Sequence, residues 1–194
     1  MTSKFILCSI LLTTGAASAL AQSQARPTNP PPPRAGLTLT SPAFADGGVI
    51  PARHSQADPN PVSPKLQWTN VLPNTVSFAL IVHDLDTSIQ KTTEDVLHWL
   101  IFNIPAAARE LPEGVPVKAQ LPDGAVQTKS RGGENGYRAL GGGAGPYHHY
   151  VFELFALDTK LALGPDATRA EFLKALDGHI LEKGSLVGRY RRSE

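Results

Sequence analysis

The run Val76-Ser77-Phe78-Ala79-Leu80-Ile81-Val82 constrains the fold more than any other part of this chain. It reads as a strand, and its even face carries Val76, Phe78, Leu80 and Val82 before reaching Asp84. One face is thus apolar until a carboxylate ends it, which puts Asp84 at the rim of a core. Two further runs have the same design. His98 to Ile104, closed by Pro105, is a strand that opens on a histidine, with His98, Leu100 and Phe102 on one face by simple alternation. The run from His148 to about Leu157 points His148, Tyr150, Phe152 and Leu154 one way and His149, Val151, Glu153 and Phe155 the other. Four of the six histidines fall in the strand-end stretches His83 to Asp86, Asp95 to Trp99 and Gly145 to Tyr150. Strand ends surround the mouth of a β-rich domain, so polar groups gathered there can line a small pocket for an anion or a polar head group.

The rest of the chain agrees with a β fold. Leu37-Thr38-Leu39-Thr40-Ser41 alternates like a first strand, and Ser185 to Tyr190 like a last one. A single helix is predicted near the C-terminus. Thr168-Arg169-Ala170-Glu171 forms a capping box, Leu173, Leu176 and Ile180 follow at helical spacing, and Gly184 ends it. Glycine and proline, 17 of each, fit long turn-rich connections between strands. The expected fold class is an all-β sandwich of two antiparallel sheets with one helix in the C-terminal region, occupying residues 37–192.

Residues 1–21 read as a secretion signal. Lys4 supplies a positive start, Phe5 to Leu12 an apolar centre, and Ala19-Leu20-Ala21 a cleavage site after Ala21. The apolar stretch is too short to span a bilayer and has no basic flank after it, so no transmembrane segment is expected in the mature chain. Residues 22–36, with Pro27 and Pro30-Pro31-Pro32-Pro33, read as an extended spacer. The lone Cys8 lies inside the signal, which leaves the mature chain without thiol catalysis or cysteine-ligated zinc. A periplasmic or secreted location follows. Lys+Arg at 18 against Asp+Glu at 17 gives no basic surface for nucleic acid. The basic cluster Arg189-Tyr190-Arg191-Arg192 reads as a solvated tail end.

The common enzyme templates are missing: there is no Gly-x-Ser-x-Gly elbow and no His-Glu-x-x-His helix. Gly141-Gly142-Gly143-Ala144-Gly145 lacks the lysine of a nucleotide loop. It is either a flexible surface loop or bare backbone that offers N–H groups to an anion. Asp84 with His98 is the most useful pairing. A carboxylate beside an imidazole fixes the tautomer and raises proton affinity, although such a bond can also merely hold two strands together. Asp86 is placed to cap the following turn. A metal site from Asp84, Asp86, His98 and His148 matches no common zinc spacing, so no metal and no cofactor are expected. A hydrolase using Asp84–His98 as general base is the enzymatic alternative, and a protein-interaction module with an idle pocket is another; no catalytic residue is assigned.

At these residues the chain resembles the phosphatidylethanolamine-binding protein family, in particular its bacterial Raf-kinase-inhibitor-like branch. That family's Asp-Pro-Asp-x-Pro strand end, His-Trp strand start and Gly-x-Pro-Pro…His-Arg-Tyr segment correspond to Asp84-Leu85-Asp86, His98-Trp99 and Gly145-Pro146-Tyr147-His148-His149-Tyr150. The flanking Ser63-Pro64-Lys65-Leu66-Gln67-Trp68 and Asn103-Ile104-Pro105 agree, and the likeness runs from Leu37 to Arg191. It implies a ligand pocket lined by Asp84, His98, Gly145, Pro146, His148 and Tyr150, with Asp84 orienting His98, His148 donating to the anion, Tyr150 giving a hydroxyl and Gly145 an N–H. It also implies a small anionic or phosphorylated ligand such as a phospholipid head group, and an inhibitory role toward a partner enzyme. Leu85 and Ser88 stand where the family has prolines, and His149 where it has arginine.

Overall fold

The computed structural model describes residues 34–87, 91 and 93–193. The signal segment, the polyproline run and Ser88 therefore lie outside the described residues. The elements in order are β1 (Thr38–Thr40), β2 (Gly48–Val49), β3 (Leu66–Thr69), β4 (Ser77–Asp84), β5 (Val96–Pro105), β6 (Glu110–Leu111), β7 (Val126–Gln127), β8 (His148–Leu157), α1 (Arg169–Leu176) and β9 (Ile180–Tyr190). They form a three-stranded sheet, β1-β3-β6, and a six-stranded sheet, β2-β9-β8-β4-β5-β7. Pairing is antiparallel throughout, except that the two-residue β2 runs parallel to β9 at the sheet edge. The expected two-sheet, mainly β architecture with one helix is the one observed.

Alternation places the core. β4 sits between β5 and β8, and all eight of its residues are buried. Phe78, Leu80 and Val82 point between the sheets, against Leu39, Leu66, Trp68, Phe152 and Leu154. Ala79 and Ile81 point the other way, joining Phe155, Leu157, Phe172 and Leu176 beneath α1. Each large side chain so buried contributes about 1.5–3 kcal/mol, which makes the sandwich seam and the helix seat the two sources of stability.

β5 departs from simple alternation. Its ladder with β4 slips between Val82↔Trp99 and His83↔Leu97, so His98 is the extra residue of a β-bulge. His98 stays on the face of Asp84 and Val96, whereas Leu100 and Phe102 turn to the helix side and Trp99 and Ile101 fill the inter-sheet core. The expectation that His98, Leu100 and Phe102 share a face is corrected by that one residue.

The capping box forms as expected: Glu171 N–H donates to Thr168 Oγ1 at 3.2 Å, and Thr168 N–H to Glu171 Oε2 at 2.8 Å. The helix then stops at Leu176, because Gly178 takes the left-handed conformation at φ +80°. Ile180 and Gly184 belong to β9 and do not extend or end the helix. Gly184 is needed there for closeness: a Cβ would lie 2.7 Å from the Leu37 carbonyl oxygen that crosses it. Arg189 and Tyr190 are also β9 residues and Tyr190 is buried, so the basic cluster begins as the end of a strand, while Arg191 and Arg192 follow it and are exposed. No helix among the described residues is long and apolar enough to cross a membrane.

Candidate functional site

Asp84 is the last residue of β4 and only 3% exposed. Its Oδ1 accepts from the Asp86 N–H at 3.0 Å, and its Oδ2 accepts from Thr87 Oγ1 at 2.9 Å and from His148 Nδ1 at 2.7 Å. Asp84 thus organises the start of the turn, while the part of it that Asp86 is expected to cap, at residues 88–90, lies outside the described residues. Asp86 accepts from the His149 N–H at 2.5 Å and from His149 Nδ1 at 3.0 Å, clamping the strand end to β8 at the surface. Its slight burial opposes the charge, yet the His149 amide and ring outweigh that and hold the Asp86 carboxyl below the usual carboxylate range.

The expected Asp84–His98 hydrogen bond is not formed. Register explains it: β8 pairs directly with β4, Asp84 opposite Tyr150, so His148 lies alongside the end of β4 and takes the carboxylate. The segment at Arg138 meanwhile runs beside β5, donating its N–H to the His98 carbonyl at 2.7 Å. Arg138 returns its own carbonyl to the imidazole, and His98 Nδ1 donates to it at 3.1 Å. Burial pushes the His98 pKa below its ordinary value, against the raising effects of the Arg138 carbonyl and the Asp84 charge. A neutral ring that donates through Nδ1 presents Nε2 as an acceptor. The general-base pair of the hydrolase alternative has lost its geometry.

Tyr150 meets the His98 ring edge-on, centroids 5.2 Å apart at 81°, and the His148 ring at 6.4 Å. Its hydroxyl donates to the Gly141 carbonyl. Burial and the nearby Asp84 charge raise its pKa, so the phenol stays protonated and pins the glycine-rich loop. It braces the site from behind and is not a free ligand donor.

These residues bound a cavity of about 160 Å³ lined by Asp84, Thr87, Val96, His98, Arg131, Arg138, Gln56, Gly141 and Gly142. At roughly 30 Å³ per water it holds about five waters, well short of the several hundred Å³ of a drug-sized site. Arg138 is half-buried and Arg131 exposed, and neither guanidinium has an ion-pair partner or a side-chain hydrogen bond among the described residues. Of the expected pocket residues, Asp84 and His98 line this cavity, while His148 and Tyr150 support them from behind. Gly145 and Pro146 lie elsewhere, in a cavity of about 620 Å³ with Arg191 and Arg192. The loop contributes its first two glycines here because the Tyr150 hydroxyl fixes it at Gly141. Sequence reasoning missed both pocket arginines. The only signal was two arginines within the glycine-punctuated stretch Arg131 to Arg138. Among the described residues no group of three His, Cys, Asp or Glu side chains is placed to hold a metal.

On the reverse side of β4, His83 is 7% exposed in a second polar cluster. Its Nδ1 donates to Asp95 Oδ2 at 2.5 Å, and Arg169 from α1 closes on both Asp95 oxygens. Glu153 Oε2 stands 3.2 Å from Nε2, near enough for ion pairing but out of line for a hydrogen bond. Burial lowers the proton affinity of His83, but Glu153 and Asp95 outweigh it and the pKa is raised. Asp95 is desolvated too, yet Arg169 and His83 bring its pKa down, and the His83 contact lowers that of Glu153.

Fold and site together define a β-sandwich protein with a small polar pocket at its strand ends. The family model for phosphatidylethanolamine-binding protein matches residues 40–191, and the chain belongs to that family. An archaeal UPF0098 protein of Methanothermobacter thermautotrophicus is 42% identical over 156 residues, covering 80% of this chain and 99% of that one. A phosphatidylethanolamine-binding protein homolog of Chlamydia trachomatis, 31% identical, superposes with a TM-score of 0.71 over 81% of this chain and 99% of its own. YbcL of E. coli, described as a member of the mammalian family, is 27% identical with a TM-score of 0.73, over 82% of this chain and 100% of its own.

Proposed function

We propose that this is an exported protein that holds a small phosphorylated group in the Asp84–His98–Arg138 pocket. The observation that carries the reading is the pair of arginines, 131 and 138, lining a small cavity with no carboxylate partner among the described residues. Guanidinium forks match phosphate oxygens in planar, bidentate geometry. The same cavity also contains the Asp84 carboxylate and the His98 Nε2, which accept hydrogen bonds, so the pocket offers both donors and acceptors. That polarity suits a group carrying both a phosphate and an amine, as phosphoethanolamine does, better than a bare anion. The family's name fits this reading. Export is supported by the Lys4-to-Ala21 signal pattern, and protein recovered outside the cytoplasm should begin at Gln22 by N-terminal sequencing.

Calorimetric titration tests the pocket. Phosphoethanolamine should bind more tightly than inorganic phosphate, and Arg138→Ala and His98→Ala should each weaken it by about tenfold. A His148→Ala change should act less, through the freed Asp84. Wild-type affinity in the Arg138 and His98 variants would remove this pocket from the function.

A further inference from the structure

We propose a second anion site on the far side of the glycine-rich loop, built on Tyr147, Arg189, Arg191 and Arg192, which takes a phosphoryl group attached to an apolar body. β8 and β9 pair with His149 opposite Arg189 and His148 opposite Tyr190, so the start of one strand faces the end of the other. Tyr147, just before β8, therefore meets two arginines of equal parity. The Arg189 guanidinium lies 5.4 Å from the ring centre and that of Arg191 4.7 Å. Arg192 follows, its N–H held by the Gly143 carbonyl at 3.3 Å.

Among the described residues the arrangement is electrostatically incomplete. Two like charges are gathered on one ring with a third beside them, and none of the three is ion-paired to a carboxylate among the described residues. Arg189 Nε donates to the Gly47 carbonyl at 2.7 Å and Arg191 to the Gly145 carbonyl at 3.4 Å. Each guanidinium carries five N–H donors, so most have no protein acceptor there. A phosphoryl oxygen array answers both deficits, since it neutralises the cluster and accepts from several N–H groups at once.

Two cavities meet at Arg191 and differ in character. One, about 620 Å³, is lined by the loop backbone at Ala144, Gly145 and Pro146 with Arg191 and Arg192. The other, about 380 Å³, has Val49, Ile50, Pro51 and Ala52 as walls beside Tyr147 and Arg191. Val49 is 51% exposed there. The first receives the phosphoryl group, and the second gives an aliphatic substituent an apolar surface next to the tyrosine ring. This site shares only the Gly141-to-Pro146 loop with the first pocket, at the loop's opposite end, and has a separate set of arginines.

The phosphoryl group has two possible sources, a soluble phosphorylated compound or a lipid, and the probes separate them. Dihexanoyl phosphatidic acid, used as a monomer, should shift the amide NMR signals of Tyr147 and Arg191 in the full chain and bind more tightly than inorganic phosphate. An Arg191→Ala/Arg192→Ala variant, altered only at exposed side chains, should bind it about tenfold more weakly. A Lys118→Ala/Lys160→Ala variant with the same change of net charge should bind as wild type, and Arg138→Ala should leave the Tyr147 shifts intact. Co-sedimentation with phosphatidylcholine vesicles containing phosphatidylglycerol, lost in the double arginine variant, assigns the lipid source. Monomer binding without co-sedimentation assigns the soluble one. Undiminished monomer binding in the double arginine variant overturns the site. Shifts abolished only by Arg138→Ala overturn it as well and return the ligand to the first pocket, so failure here does not count against that pocket.

Discussion

His83 and His98 are both nearly buried, at 7% and 3% exposure, on neighbouring strands of one sheet, yet their proton affinities move in opposite directions. Desolvation acts on both and disfavours the cation. His83 is overruled because Asp95 and Glu153 contact its two nitrogens, whereas His98 has a carbonyl on one nitrogen and Asp84 only as a more distant charge. The outer cluster is closed by Arg169, and its charges are balanced within the protein. The inner one is left open beside two arginines that have no ion-pair partner among the described residues. Charge that is completed internally acts as a strut between sheet and helix, and charge left incomplete next to a cavity is available to a ligand.

That contrast is broken or sharpened by four measurements. The largest effect is expected from Asp95→Ala, which leaves His83 and Arg169 facing each other under α1. Urea unfolding should show a loss of about 3 kcal/mol, with phosphoethanolamine affinity unchanged. Arg138→Ala should do the reverse, with about tenfold weaker binding and stability within about 0.5 kcal/mol of wild type. If both variants lose stability and binding together, the division into strut and site fails.

The third measurement is a pH comparison. The folded His83 pKa lies above its ordinary 6.5, so its contribution is fully present below pH 6.5 and is lost as pH rises through the folded value. Asp95 and Glu153 lie below their ordinary 3.8 and 4.5, so their contributions are present above those values and are lost as pH falls through the folded ones. The cluster therefore stabilises most between about pH 4.5 and 6.5. His98 has the opposite sign: its folded pKa is below 6.5, so acidification from there favours the unfolded chain. His83→Gln should cost more at pH 6 than at pH 8, and His98→Gln should cost less at pH 6 than at pH 8. Matching slopes would contradict the assignment. The smallest effect belongs to Asp158→Ala. Its 2.8 Å bond to His179 has the same donor and acceptor types but an exposed setting, so the loss should stay under about 0.5 kcal/mol.

What could be read from the sequence was local and periodic. The strand faces of β4 and β8 follow from a period of two, and the start of α1 from four consecutive residues of a capping box. The bulge at His98 has no signature of its own, because an extra residue in a strand looks like any other until its partner is known. Reading through it put Leu100 and Phe102 on the wrong face. The partner of Asp84 depended on β8 lying next to β4, a pairing between residues far apart in the chain. Arg138 reaches His98 through backbone contacts along β5, which no spacing encodes. The helix end was overrun because Ile180 happens to fall on the helical period, although Gly178 already breaks it.

The extra residue at His98 also limits how this protein can diversify. The side chains from Trp99 to Phe102 owe their phase to it: a straight strand that kept His98 would move the tryptophan from the sandwich to a position beneath the helix, whereas deleting His98 would keep that phase but take the imidazole out of the pocket. Point substitutions at Thr87, Arg131 or Arg138 alter the pocket without touching that phase. A change of length at the strand start does not have this freedom, because the one residue that can be lost without shifting the ladder is the histidine that lines the pocket.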